Sequence, residues 1–218
     1  MRICAISDTH TKHGKIKLPE ADVLIHAGDF TFRGEYHEVY NFANWFKAQS
    51  HAHKICIAGN HELSFQNRDR DIVVNLIRES GAIYLENNGC EINGIKFYGS
   101  PHTPNYHNWA FNLPRNGQEL YDNWNKIPDD TNVLITHGPP NGILDGVREP
   151  SRPPQGCEML KKRLFQSFYQ LPNLKAHIFG HLHMQGGQTM DISGIKFVNA
   201  AICNDEYNPC RLPIIIDI

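Results

Sequence analysis

Five short clusters carry most of the side chains in this sequence that could do chemistry together. They are Asp8-Thr9-His10, Gly28-Asp29, Gly59-Asn60-His61-Glu62, His137-Gly138 and Gly180-His181-Leu182-His183. Asp8, Asp29 and Asn60 offer oxygen donors, and His10, His137, His181 and His183 offer imidazole nitrogens. A mixed nitrogen and oxygen set suits borderline divalent ions, manganese first and then iron, zinc, nickel or cobalt, better than calcium or Cu(I). These donors exceed what one tetrahedral ion needs and suffice for two ions that share a carboxylate. Two ions roughly 3.5–4 Å apart supply hydroxide at neutral pH and clamp a phosphoryl group for in-line displacement. Taken singly, each residue has a plainer reading. Asp8 with His10 could cap a turn, Asn60 could end a strand, and a lone His137 is an ordinary loop histidine. Their joint recurrence at equivalent places is what points to a metal site.

Those places are the ends of apolar runs. Arg2–Ser7, Asp22–Asp29, Lys54–Asn60, Asn132–Gly138 and Lys175–Phe179 each read as a buried strand that delivers one cluster. In open α/β sheets ligands bind beyond the carboxyl ends of the strands, so five such ends can meet in one crevice. Between them, Val39, Phe42, Ala43 and Phe46 recur at helical spacing within 35–50, and 71–79 reads as a second helix closed by Ser80-Gly81. Asn93-Gly94 and Ser193-Gly194 sit between apolar stretches and predict two hairpins. Short helices are expected over 118–126 and 158–170, and PIIIDI as a terminal strand. The stretch 100–116, rich in proline and aromatics, reads as an ordered surface loop. Pro139–Gly156 is long and rich in Pro, Gly and Arg, which suggests a lid. The expected fold is α/β, a two-sheet sandwich flanked by helices, with residues 1–218 forming one domain.

Bulk properties narrow the partners. The 218 residues carry a net charge of −2, with 40% hydrophobic and 20% charged residues. No basic footprint marks a grip on long nucleic acid, and no apolar run reaches the ~20 residues that cross a bilayer. The chain enters a strand at once and reaches a candidate carboxylate by Asp8, so no cleavable leader is expected and the cytoplasm is the expected compartment. Six cysteines without a C-x-x-C pair read as reduced thiols, although Cys203 and Cys210 flank a polar loop that leaves their pairing open. His26 reads as a hydrogen-bonded supporting or core histidine. The sequence leaves the oligomeric state open.

The ordered motifs D-x-H, G-D, G-N-H-E, H-G and G-H-x-H, from Asp8 to His183, resemble the calcineurin-like metallophosphoesterase superfamily. The surrounding GDFT, IAGNHELSF, GSPHTP, WAFNLPR, THGPP and PIIIDI are similar to its MPPED-type members. The resemblance implies that Asp8, His10, Asp29 and His183 hold one ion. The other falls to a bridging Asp29 with Asn60, His137 and His181. A hydroxide between the ions would attack phosphorus, Asn60 and Asp29 would serve catalysis as ligands, and His61 would stabilise the transition state or protonate the leaving oxygen. Glu62 would support the ligands rather than react. Some animal members carry glycine at the position of His181, whereas GHLH is whole here. The superfamily's protein phosphatases read G-D-x-x-D-R-G, with a carboxylate that orients the acid histidine. This chain has Phe32 in that slot. Arg33, His102 and Arg148 are candidate substrate contacts, with His107, Tyr106, Trp109 and Arg152 beside them. The implied activity is hydrolysis of small phosphodiesters, with cyclic nucleotides foremost. The alternatives are a phosphomonoesterase or a short-oligonucleotide nuclease and, from another class, a non-catalytic scaffold.

Overall fold

Strand β1 (Arg2–Ile6) buries both of its faces, which explains why its sequence is a continuous apolar run and not an alternating one. Ile3 and Ala5 enter one core cluster, while Cys4 and Ile6 enter another. A computed structural model describes residues 1–147, 153–166 and 171–218. In it β1 is followed by β2 (Val23–His26), α1 (Tyr36–Lys47), β3 (His53–Cys56), α2 (Arg70–Glu79) and β4 (Ile83–Tyr84). The hairpin β5 (Asn88–Ile92) and β6 (Ile95–Ser100) comes next, then β7 (Thr103–Pro104), β8 (Asn112–Leu113) and α3 (Gln118–Asn125). The chain continues through β9 (Val133–Thr136), α4 (Glu158–Phe165), β10 (Ala176–Phe179), the hairpin β11 (Gln188–Ile192) and β12 (Ile195–Asn199), and β13 (Ile214–Asp217).

Two mixed sheets result, in the orders β13-β1-β2-β3-β4 and β11-β12-β10-β9-β6-β5. Ile3, Val23, Ile25 and Ile55 of the first meet Phe97, Val133, Ile178 and Val198 of the second in the shared core. The outer face of the first sheet packs on Val39, Phe42, Phe46, Val73 and Ile77 of α1 and α2. Leu120, Trp124, Leu160 and Leu164 of α3 and α4 cover the second. The expected α/β sandwich with helices outside is therefore what forms. Both hairpins turn where Asn-Gly and Ser-Gly predict, with positive φ at Asn93, Gly94, Ser193 and Gly194. The stretch read as a plain loop over 100–116 holds a small parallel pair, β7 with β8, too short to leave a periodic signal. Residues 167–170 of the expected last helix lie outside the described residues. All six cysteines are free thiols, Cys203 and Cys210 included. No helix among the described residues is long and apolar enough to cross a membrane.

Two strand histidines, His26 and His177, are wholly buried. His26 and Thr9 are 2.9 Å apart through Nε2 and Oγ1, and His177 and Thr136 are 2.7 Å apart in the same way. Thr136 gives its own proton to the Gly138 carbonyl, so His177 Nε2–H must donate to it. The Nδ1 atoms of both rings have no partner among the described residues, which fits unprotonated nitrogens in neutral imidazoles. Burial pushes both pKa values down to about 3, from an ordinary value of 6.5. The unfolded chain thus takes up more protons below that ordinary value. The stability these residues contribute is full above pH 6.5 and is lost as pH falls toward 3. At pH 5 the loss is about 2 kcal/mol for each histidine. Urea unfolding at pH 7 and pH 5 should show this drop, and His177→Gln should reduce its slope by one proton. Identical slopes in wild type and variant would remove His177 from the account.

Candidate metal centre

The parallel strands β1, β2 and β3 point their carboxyl ends toward the same edge as β9 and β10 of the facing sheet, and a strap between the sheets fixes that edge. Ser7 N–H donates to the Ala200 carbonyl at 2.9 Å, and Ile202 N–H returns a bond to the Ser7 carbonyl at 2.9 Å. The seven donors of the five clusters and His61 all gather here. Four of them, Asp8, His10, Asp29 and His181, have positive φ values of 51°, 40°, 56° and 67°. Such backbone costs roughly 1–3 kcal/mol per residue and persists only where neighbours over-determine it. They do so here. His10 N–H bonds the Asp29 carbonyl at 3.0 Å, and His181 N–H bonds the Asp8 carboxylate at 2.9 Å. Gly180 is required by close approach, since a Cβ there would collide with Asp8 Oδ2.

Backbone carbonyls determine which nitrogen of each imidazole faces the site. A carbonyl only accepts, so His10 Nδ1–H donates to Thr31 O at 3.1 Å and His183 Nδ1–H to Asn204 O at 3.0 Å. His137 Nδ1–H likewise donates to Ala27 O at 2.9 Å. The Nε2 atoms are then left pointing inward, and in a neutral ring each carries a lone pair. Those of His10 and His183 face each other at 3.3 Å, with Asp8 Oδ1 3.2 Å from the latter. His137 Nε2 lies 2.9 Å from Asn60 Oδ1 and 3.2 Å from Asp29 Oδ2. Imidazole nitrogens and carboxylate oxygens converging this closely in a buried site call for a cation between them, a proton or a metal ion. Three groups of ligand atoms lie within 4.8 Å of one another among the described residues: Asp8/His10/His183, His10/Asp29/His61 and Asp29/His137/His181. Asp29 belongs to two of them, the place a bridging carboxylate would occupy. The residues present therefore fit a pair of divalent ions.

Electrostatics agrees. Burial opposes ionisation of Asp8 and Asp29, yet the surrounding histidines, His183 for the first and His137 for the second, hold both carboxyls below the usual range. Burial pushes His10 down to about 4 and His181 to about 3, so both rings are neutral, the form a metal ligand would need. Burial also disfavours charge on His137, but the Asp29 carboxylate outweighs it and raises its pKa to about 9. The paired carboxylates thus draw positive charge to the centre of the site.

Glu62 supports this floor from beneath. It is fully buried and accepts from Gly59 N at 2.6 Å, from Asp29 N and Thr31 N at 2.9 Å, and from the Thr31 hydroxyl at 2.7 Å. It thereby ties the β2 loop to the β3 loop. Burial and the charge of Asp29 push its pKa up to about 7 against those bonds. His61 stands apart. Its Nδ1–H donates to the Phe32 carbonyl at 2.7 Å, its ring stacks on Trp109 at 4.3 Å, and its Nε2 lies 3.8 Å from Asp29 Oδ2. The slot lacking a carboxylate thus still orients this histidine, through main chain.

A cleft of about 700 Å³ opens over Asp29, Asn60, His61, His181 and His183. Tyr106, His107 and Trp109 form one wall, and Met184, Asp205 and Tyr207 line it as well. Two expected substrate contacts are not among the residues lining it. His102 sits behind the aromatic loop, edge-on to Phe111, because the β7–β8 pair turns residues 106–109 and not 102 toward the cleft. Burial lowers its pKa to about 4. Arg33 lines a second depression, with its guanidinium 5.9 Å from the Trp109 ring of the cleft wall. Arg148 and Arg152 lie outside the described residues. Sequence reasoning missed Tyr207, whose ring meets His10 at 4.7 Å, and Asn204, whose carbonyl orients His183. Both sit in an irregular loop with no motif; the signal available was the polar run between Cys203 and Cys210. It also missed Arg115, which lines the cleft but spends its guanidinium on Glu158 and the carbonyls of Gln155 and Gly156.

Known proteins resemble this chain in sequence and in fold. The family model described as calcineurin-like phosphoesterase matches residues 1–185. The human protein named metallophosphoesterase domain-containing protein 1 is 37% identical over all of this chain and 71% of its own length. A Caenorhabditis elegans protein of the UPF0046 group is 36% identical over all of this chain and 60% of its own length. The crystal structure of TT1561 from Thermus thermophilus superposes with a TM-score of 0.57 at 13% identity, covering 91% of this chain and 88% of that one, a likeness of fold. The chain belongs to the calcineurin-like phosphoesterase family, whose members are metal-dependent phosphoesterases.

Proposed function

We propose that this protein is a phosphodiesterase for small phosphodiesters, cyclic nucleotides foremost, working with two divalent ions of which manganese is the first choice. The carrying observation is the set of inward Nε2 atoms and carboxylate and amide oxygens that face one another at 2.9–3.3 Å. Asp8, His10, Asp29 and His183 would hold one ion, and Asp29, Asn60, His137 and His181 the other. When bound, the ions supply charge neutralisation at phosphorus and an acidified water. The protein's own part is positioning. Carbonyl-fixed imidazoles and Glu62 hold the donors without reorganisation. His61, anchored through Nδ1, keeps Nε2 toward the site and can give a proton to the leaving oxygen. The aromatic wall offers stacking surface to the organic part of a substrate.

The cleft supports a small substrate over a polymer. Arg115 is the only arginine or lysine lining it among the described residues, and it is already paired with Glu158. A chain of phosphates would find little to hold it. Six free thiols suit a reducing compartment such as the cytoplasm.

The test is elemental analysis of manganese-reconstituted protein followed by assay on bis-p-nitrophenyl phosphate, p-nitrophenyl phosphate and cyclic nucleotides. Two ions per chain and faster turnover of diesters than of the monoester are expected. A faster monoester would make it a phosphomonoesterase. Fewer than two ions with no turnover at all would leave a binding scaffold.

A further inference from the structure

The peptide unit that holds His61 is itself held by a carboxylate. Phe32 supplies the carbonyl that accepts from His61 Nδ1–H at 2.7 Å. The N–H of that same peptide belongs to Arg33, and it donates to Glu38 Oε2 at 3.0 Å. In a trans peptide the carbonyl and the N–H point in opposite directions. Glu38 and His61 therefore lie at the two ends of one hydrogen-bonded line that crosses a single amide. Glu38 also accepts from Phe32 N at 3.1 Å and from Glu35 N at 3.0 Å, so three bonds fasten the loop that carries the carbonyl. It is the third residue of α1 and is 9% exposed, which keeps it in one place and limits screening by water.

We infer that Glu38 is a positioning residue for the reaction, acting on His61 through the Phe32–Arg33 amide. Its carboxylate fixes the plane of that amide and polarises the carbonyl toward His61, because linked hydrogen bonds strengthen one another. The role a carboxylate would play by direct contact is here carried one peptide further off, from the start of a helix. Neither Phe32 nor Arg33 needs a particular side chain for this; the main chain between them is what matters. The inference rests on the reading of His61 as the proton donor to the leaving group.

Leaving-group dependence separates this role from a structural one. Proton donation matters most when the departing oxygen is a poor leaving group. The experiment compares wild type, Glu38→Gln, His61→Ala and the double variant, all reconstituted with manganese. Substrates are phenyl phosphodiesters from p-nitrophenyl to p-methoxyphenyl. Glu38→Gln keeps the side-chain length and one acceptor oxygen; if it folds poorly, Glu38→Asp takes its place. Metal content and melting temperature are measured for each protein.

The expected result is a kcat loss of about tenfold for the p-methoxyphenyl ester, a much smaller loss for the p-nitrophenyl ester, and KM unchanged. In the His61→Ala background the same substitution at 38 should cost nothing further. A loss equal across leaving groups, or one that persists at full size without His61, would overturn the relay through the amide. If His61→Ala by itself leaves p-methoxyphenyl turnover intact, the reading of His61 as proton donor fails instead.

Discussion

Asp29→Asn should leave the protein folded but unable to hold two ions, and should lower diester turnover roughly a thousandfold. Asparagine preserves the size of the side chain, tolerates the left-handed backbone at φ 56°, and can still accept the His61 N–H that Asp29 Oδ1 accepts at 2.9 Å. What it removes is the charge. Asp29 stands in both the His10/His61 group and the His137/His181 group, with His137 Nε2 3.2 Å from its Oδ2. Among the described residues no other carboxylate belongs to both groups, so no neighbour can replace it. Manganese analysis and bis-p-nitrophenyl phosphate assay check the result. Two ions retained with turnover within tenfold of wild type would rule out a bridging role for Asp29.

His61→Ala should act in the opposite way, sparing both ions while lowering turnover about 10²–10⁴-fold. Its ring rests on Trp109 at the cleft rather than in the core, so folding should change little. Distances alone would admit His61 as a ligand, because its imidazole belongs to the middle group with His10 and Asp29. Metal stoichiometry therefore decides between the two roles. A drop to one ion per chain would make His61 a ligand and would redraw the division of donors proposed above.

Strand ends and glycines make the donor set legible without coordinates. Each of the five clusters follows an apolar run, and burial on both faces leaves such runs unmistakable. The Asn93-Gly94 and Ser193-Gly194 turns are equally plain, because only a few residues accept positive φ at both positions. The walls of the cleft are not. His102 and His107 differ little as sequence, yet a two-residue strand pair places the second on the cleft and the first behind it. Tyr207 and Asn204 come from a loop without period or motif, and their distance in sequence from His10 hides the contact.

Residue type and local spacing determined which donors are present and that they sit at strand ends, and the family resemblance added that Phe32 fills the slot where other members carry a carboxylate. How that missing carboxylate is offset depended on the folded chain. The Phe32 carbonyl that holds His61 has no signature in residue type, since every residue carries a carbonyl. Its direction is set by Glu38 and Glu62, which pin the 29–35 loop from α1 and from the loop after β3. Backbone orientation of that kind arises from packing between segments far apart in the chain, and so becomes visible only once they are folded together.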